Sequence, residues 1–284
     1  MRVARIMRIA AFLLCVLAAC GGAAGGGGDD DDGGDDDGTG GDGGGGGPDG
    51  PPGPRGVFDP AVTEIQIEID YEPGAEPFTG NVIGFGDTFA ITQTNITRLF
   101  AGRKTITIPT ALAGMENIGT VADEQLTVDD LLQLAEAHRS GRDTATRKTY
   151  YVVFVSGYFT DANGPNAGVL GVSLGDTGVI AMFKDVIDST NVPATNVSRY
   201  VEQSTLVHEL AHGIGLVDNG VAPTTGHNDT VHGAHCTNDE CVMYWQNEGS
   251  SAMAAYVQRA VTTGNTILFD AACLADVDAL TGGP

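Results

Sequence analysis

The sequence predicts a mixed α/β (α+β) domain over residues 57–284: a twisted sheet packed on helices, one long helix carrying the chemistry, and an irregular C-terminal part. Three observations predict it. Strand-like stretches come first, and one of them, TYYVVFVSGYF at 149–159, is apolar throughout, as a strand covered on both faces must be. Helical spacings lie between the strands. A single long helical pattern, 196–216, follows the last strand and leads into segments rich in Gly, Asn and Asp.

Taken in order, TEIQIEIDY at 63–71 alternates apolar and polar residues and reads as a strand with one buried face. Residues 87–100 place Phe89, Ile91, Ile96 and Leu99 at helical spacing. KTITIPT at 104–110 is a second strand, ended by its proline. TVDDLLQLAEAHR at 127–139 is an amphipathic helix with Thr127 as N-cap and acids in its first turn. His138, near its end, reads as an exposed polar residue favoured by the helix dipole rather than as a ligand. After the apolar strand at 149–159 comes GVIAMFKDVI, expected to be a strand through Val179 to Val186 that holds an extended peptide along the site.

The N-terminus reads as an export signal. Arg2, Arg5 and Arg8 precede an apolar run, Ile9 to Val16, too short for a comfortable membrane span. It closes on L-A-A-C, residues 17–20, which resembles a bacterial lipobox. That resemblance implies a lipoprotein signal peptide at 1–19 and acylation of Cys20; an ordinary secretory signal is the alternative. Residues 20–56 form the tether. Of residues 21–56, 19 are Gly and 9 are Asp, so nothing there offsets the entropy of ordering, and a flexible, charge-stretched spacer is expected. No second apolar run is long enough to span a membrane. The expected location is therefore the bacterial envelope, on the outer membrane, with contact through the N-terminal lipid only.

The domain carries 28 acidic residues against 10 Lys and Arg, a net charge near −18. Such a surface disfavours nucleic acid and anionic lipid. A monomer acting on a peptide or protein is the expected assembly.

The chemistry concentrates in HELAHGIGLVD, 208–218. Helix positions i and i+4 share a face, so His208 and His212 can hold one metal ion together. Glu209 sits beside the open metal position, where it can accept and return a proton. Zinc suits imidazole and needs no redox chemistry. Gly215 lets the chain leave the helix sharply, so that a residue just beyond can reach the same metal. Chance occurrence is the alternative, and the added glycine weighs against it.

The pattern HExxHxxG followed by a possible ligand resembles the metzincin zinc peptidases. HCTNDECVM at 235–243, with FDAAC at 269–273, resembles the archaemetzincins most closely, and the likeness is dense only over about 205–275. It implies a metzincin-like fold, a third zinc ligand at His235, a Met-turn at Met243 beneath the metal, and a second, structural zinc held by cysteines. Two departures matter. Sixteen residues separate Asp218 from His235, so the third ligand is Asp218 when aligned from the helix and His235 when aligned from the Met-turn. His235 is favoured, with His227 or His232 of the inserted HNDTVHGAH as further candidates. Asp270 stands where the family has cysteine, so the second site would be Cys236, Cys241, Asp270 and Cys273. An exported chain also favours disulfides, and a Cys236–Cys241 bridge is the preferred reading. It leaves Cys273 unpaired, which is the argument for the metal. Trp245 reads either as a pocket wall or as core.

The leading expectation is a zinc peptidase that uses metal-activated water and Glu209 as general base. A non-catalytic, metal-containing binding or structural lipoprotein is the runner-up, and a metal-capturing protein using the His-rich insertion is third.

Overall fold

The structure, a computed structural model, describes residues 54–82, 86–191, 196–264 and 266–282. The signal peptide, Cys20 and the tether up to residue 53 lie outside the described residues.

The chain opens on β1 (Glu64–Tyr71), whose alternation buries Ile65, Ile67 and Ile69 and leaves Glu64, Gln66 and Glu68 half-buried on the other face. A small hairpin, β2 (Asn81–Val82) with β3 (Gly86–Asp87), leads into α1 (Ala90–Leu99), which buries Ile96 and Leu99. Next come β4 (Thr105–Thr107), β5 (Glu116–Asn117) and β6 (Gln125–Leu126). α2 (Val128–His138) starts at Thr127, whose side chain and that of Asp130 each take the other's backbone N–H, a reciprocal capping box. At its far end the His138 imidazole pairs with Glu116, 3.0 Å away.

β7 (Arg147–Val155) is the central strand, with every residue from Lys148 to Val155 buried. The apolar stretch does not run on to Phe159 as one strand. It breaks at Ser156 and Gly157, whose N–H groups are taken by the Glu72 and Asp185 carboxylates, and β8 (Tyr158–Asp161) joins β6 and β9 (Gly164–Asn166) in a separate three-stranded sheet. β10 (Gly171–Ser173) and β11 (Val179–Phe183) complete the main sheet, whose order is β10-β11-β7-β1-β4, with β5 also paired to β1. All neighbours are parallel except β10, which runs antiparallel to β11. β11 is therefore internal and cannot serve as the peptide-pairing edge expected from the sequence; β10 is the edge. Nor does β11 reach Val186. The chain turns at Lys184 into α3 (Lys184–Ser189), because a continuous apolar run suits a strand and a buried helix equally well.

α4 (Val197–Ile214) follows, packed against β10 and β11 and bounded by α1, α3 and α5 (Ser250–Thr263). The C-terminal part is more regular than expected: α5 is followed by α6 (Ala271–Thr281), which is capped by Asp270. Among the described residues no helix is long and apolar enough to cross a membrane.

Candidate metal centres

Fifteen of the eighteen residues of α4 are buried, which puts even its polar side chains out of water. Each therefore needs a partner. Glu202 takes the Lys184 ammonium at 2.6 Å and the Phe78 N–H at 2.8 Å, and Gln203 takes the Thr92 hydroxyl at 2.8 Å. His208 and Glu209 lie nearly two turns further on, against the segment around Val242 and against β10 respectively.

The His208 Nδ1–H donates to the Val242 carbonyl at 2.8 Å, which leaves Nε2 as a bare lone pair. His235 is arranged in the same way: its Nδ1–H donates to the His232 carbonyl at 2.8 Å. Its Nε2 is buried, and the Glu248 carboxylate 3.1 Å away lies outside hydrogen-bond geometry. His212 Nε2 is 3.0 Å from His208 Nε2. The three ring centroids are 4.7, 5.0 and 5.4 Å apart. One donor atom from each of His208, His212, His235 and Glu248 falls within 4.8 Å of all the others. Imidazole nitrogens and a carboxylate oxygen that converge so closely fit a metal ion such as zinc.

Electrostatics agree with that fit. Burial, followed by the neighbouring His235, pushes His208 down to about 4. Burial, then His208 and His235, holds His212 well below its ordinary range. Both stay neutral and able to ligate. At His235 burial acts downward, but the facing Glu248 carboxylate outweighs it and the net shift is up. Glu209 is raised well above the carboxylate range by burial and by Glu248, and the Ser173 N–H pulls it partly back.

Asp218, the alternative third ligand, is not brought to this cluster. α4 ends at Gly215 with φ of 104°, and Val217 and Asp218 follow with φ of 53° and 66°. The Asp218 N–H then closes a turn onto the Val221 carbonyl at 3.0 Å, and the side chain is left exposed. His232 is also elsewhere, bonded to Asp229 at 2.7 Å and stacked on the half-buried Trp245 at 3.9 Å between ring centroids. Met243 is fully buried, and its carbonyl accepts the Cys236 N–H.

A second cluster gathers the cysteines. Cys236, Cys241 and Cys273 are all free and buried, so the Cys236–Cys241 disulfide expected from the sequence is not formed. The thiols turn instead toward one another and toward an imidazole. Cys236 Sγ is 3.5 Å from His227 Nδ1, Cys273 Sγ is 4.0 Å from that same nitrogen, and Cys241 Sγ is 3.6 Å from Cys273 Sγ. Hydrogen bonds from Cys241 and Cys273 push the Cys236 thiol below its ordinary range, while burial raises Cys241 and hydrogen bonds to Cys236 and Cys241 raise Cys273. The His227 Nε2–H donates to Asp276 at 2.6 Å, which aims Nδ1 at the sulfurs. Asp276, buried on α6, also takes the Thr224 N–H and hydroxyl. Asp270 lies within 4.8 Å of His227, Cys236 and Cys273, with Oδ2 at 3.5 Å from Cys236 Sγ, and its oxygens also accept the Cys273 N–H at 2.8 Å and the Asn238 amide at 3.0 Å. It acts as the N-cap of α6.

Sequence reasoning did not single out Glu248, Asp276 or the partnership of His227 with the cysteines. Asp276 stands three residues after Cys273, hence on the same helix face, which was a usable signal; Glu248 offered none.

No protein-family model matches the chain, and no curated protein matches it significantly. Among solved structures it is similar to a zinc-dependent peptidase from Methanocorpusculum labreanum, at 15% sequence identity and a TM-score of 0.41, over 75% of this chain and 99% of that chain.

Proposed function

We propose that this chain is a zinc peptidase of metzincin type, nearest the archaemetzincins, whose catalytic metal is held by His208, His212 and His235. The observation that carries the reading is the convergence of three imidazoles, two of them with the far nitrogen already committed to a carbonyl, beside a buried carboxylate. Zinc bound there supplies a Lewis acid that polarises a carbonyl and acidifies water. Glu209, raised by burial, is the group that accepts and returns a proton. The Ser173 N–H fixes its carboxylate, and the open side of β10 offers main-chain hydrogen bonds to an extended peptide. Met243 takes the Met-turn position.

A second zinc, structural in role, is assigned to Cys236, Cys241, Cys273 and His227, with Asp276 orienting the imidazole. With zinc–sulfur bonds of about 2.3 Å and zinc–nitrogen bonds of about 2.0 Å, a tetrahedral site has edges of roughly 3.5–3.8 Å. The separations of 3.5, 3.6 and 4.0 Å support that set. Export by a lipoprotein signal, acylation at Cys20, display on a bacterial outer membrane, and a monomer that binds no nucleic acid rest on the sequence alone.

A non-catalytic metal protein is the second reading, and Glu248 favours it, because a fourth protein donor is the mark of a closed structural site. The deciding experiment measures zinc content and casein hydrolysis on the full-length protein. Glu209→Gln is expected to keep its zinc and lose hydrolysis by roughly 10²- to 10⁴-fold. His235→Ala should release the catalytic zinc, and Asp218→Ala should not. Full hydrolysis in Glu209→Gln would overturn the mechanism, and failure of folded wild-type protein to take up zinc would overturn the metal.

A further inference from the structure

We propose that Glu248 is a fourth protein ligand of the metal at His208, His212 and His235, a displaceable cap over the position that a catalytic site leaves open. This rests on the peptidase reading and deepens it.

The Glu248 backbone is fixed while its carboxylate is free to move. Glu248 ends a short 3₁₀ turn, Trp245–Glu248. Asn247, the residue before it, is 2% exposed, and its amide donates to the Cys241 and Val242 carbonyls at 3.0 and 3.1 Å. That same Val242 carbonyl takes the His208 Nδ1–H, so the turn is tied to the group that orients a metal-site imidazole. On the other side, Gly249 forms an antiparallel bridge with Val169, just ahead of the β10 edge. Two anchors therefore aim the side chain between them at the imidazoles.

The contact itself points to a shared cation. Glu248 Oε1 lies 3.1 Å from His235 Nε2, and the His235 Nδ1–H is already given to the His232 carbonyl, so Nε2 and the carboxylate converge with the donor atoms of His208 and His212 within 4.8 Å of one another. Glu209 brings a second carboxylate close enough to be raised by Glu248. Two acids and three imidazoles in this arrangement are complementary to a divalent metal. The Glu248 side chain is also 43% exposed, unlike that of His235 at 6%. Its carboxylate can rotate into water at little cost, which a buried structural ligand cannot do. A substrate carbonyl, or any stronger donor, would displace it without moving the main chain.

The test uses full-length protein exchanged into cobalt(II), comparing wild type with Glu248→Gln and Glu248→Ala. The visible d–d absorption reports the donor set, and any cobalt in the cysteine cluster contributes equally to all three proteins. The expected result is a changed d–d band in both variants. Zinc should be held about tenfold or more weakly, since even partners that do not touch a metal cost 10- to 100-fold in affinity. Acetohydroxamate, a small chelating probe of the open position, should bind about tenfold more tightly. An unchanged cobalt spectrum together with unchanged acetohydroxamate affinity would overturn the cap while leaving the three-histidine site intact. No metal uptake at the histidines in wild type would overturn both the cap and the peptidase reading.

Discussion

Gly171 stands at the meeting of edge strand and catalytic helix, and Gly171→Ala is the substitution whose effect is most sharply fixed by geometry. A Cβ built there would lie 3.0 Å from Glu209 Cγ and 3.1 Å from both Met182 Sδ and Thr205 Cγ2, where ordinary contacts begin near 3.4 Å. The methionine can yield. Thr205 is β-branched and held on α4, so much of the adjustment falls on Glu209 and on the separation of β10 from the helix. Overpacking of this kind costs about 1–3 kcal/mol of stability. A misplacement of about 1 Å can cost a reacting group 10²-fold in rate. A forced shift of roughly half that size then predicts about a tenfold loss in kcat/KM on casein-derived peptides, with zinc content unchanged. Gly114→Ala is the control, because its Cβ would meet only Pro109 Cβ at an ordinary 3.4 Å. Stopped assays with thermal melts on both variants separate the two effects. A Gly171→Ala protein that melts lower but retains full kcat/KM would show that Glu209 does not depend on the close approach of β10, and the positioning argument would fail.

Two further outcomes follow from buried groups. Asp70, 2% exposed at the end of β1, has its carboxyl raised from 3.8 to about 6 by burial, only partly relieved by Tyr151 and the Glu116 N–H. A raised acid stabilises the fold below its unfolded value and loses that contribution as pH rises through about 6, a swing of about 3 kcal/mol at 1.36 kcal/mol per unit. Asp70→Asn should therefore match wild type in urea melts at pH 4 and exceed it by roughly 1–3 kcal/mol at pH 7.5; parallel curves would rule this out. At the cysteine cluster, Asp270→Asn keeps a competent N-cap and should retain both zinc ions, whereas His227→Ala should release the structural one. Metal analysis showing the reverse would exchange the roles of those two residues.

The legible part of the fold was local. Alternation in β1 and the capping box at Thr127 each follow from a few adjacent residues, and their elements lie within a residue of where the pattern puts them, whereas the apolar run of β7 places the strand but not its end, four residues earlier than expected. The misreadings came where one pattern serves two structures. VIAMFKDVI is apolar enough for a strand or a buried helix, and it is both in succession. Two C-terminal helices went unread: Ser250–Thr263, although Met253, Tyr256 and Val257 form a short apolar stripe, and AACLADVDAL, whose apolar residues lie on all sides. The candidate metal site divides in the same way. His208, Glu209 and His212 are neighbours on one helix, and spacing alone groups them. His235 came through the resemblance of the segment around Met243. Asp270 illustrates the limit: an acid just before a helical stretch is an N-cap by its sequence context. Asp270 is both that N-cap and a member of the cluster, and His227, forty-three positions earlier, joins it by tertiary contact that no spacing encodes.

The two clusters are one construction. His235 and Cys236 are adjacent, yet each belongs to a different cluster, and the same division separates Val242, whose carbonyl orients His208, from Cys241. Between α4 and α5 the regular structure is confined to the 3₁₀ turn Trp245–Glu248 and to single bridges, of Cys236 to Asn228 and to Tyr244 and of Gly249 to Val169. Ordering such a segment costs about 1–2 kcal/mol per residue in backbone entropy alone. Burial of Cys236, Cys241, Val242 and Met243 in the core offsets part of that cost, and the contacts among three free thiols and His227 add to it. The cysteine cluster is thus a frame on which the inserted segment returns His235 to α4. Sixteen residues separate Asp218 from His235 without displacing the third imidazole because the insertion is held from its far side, by the packing of Cys236, Cys241 and His227.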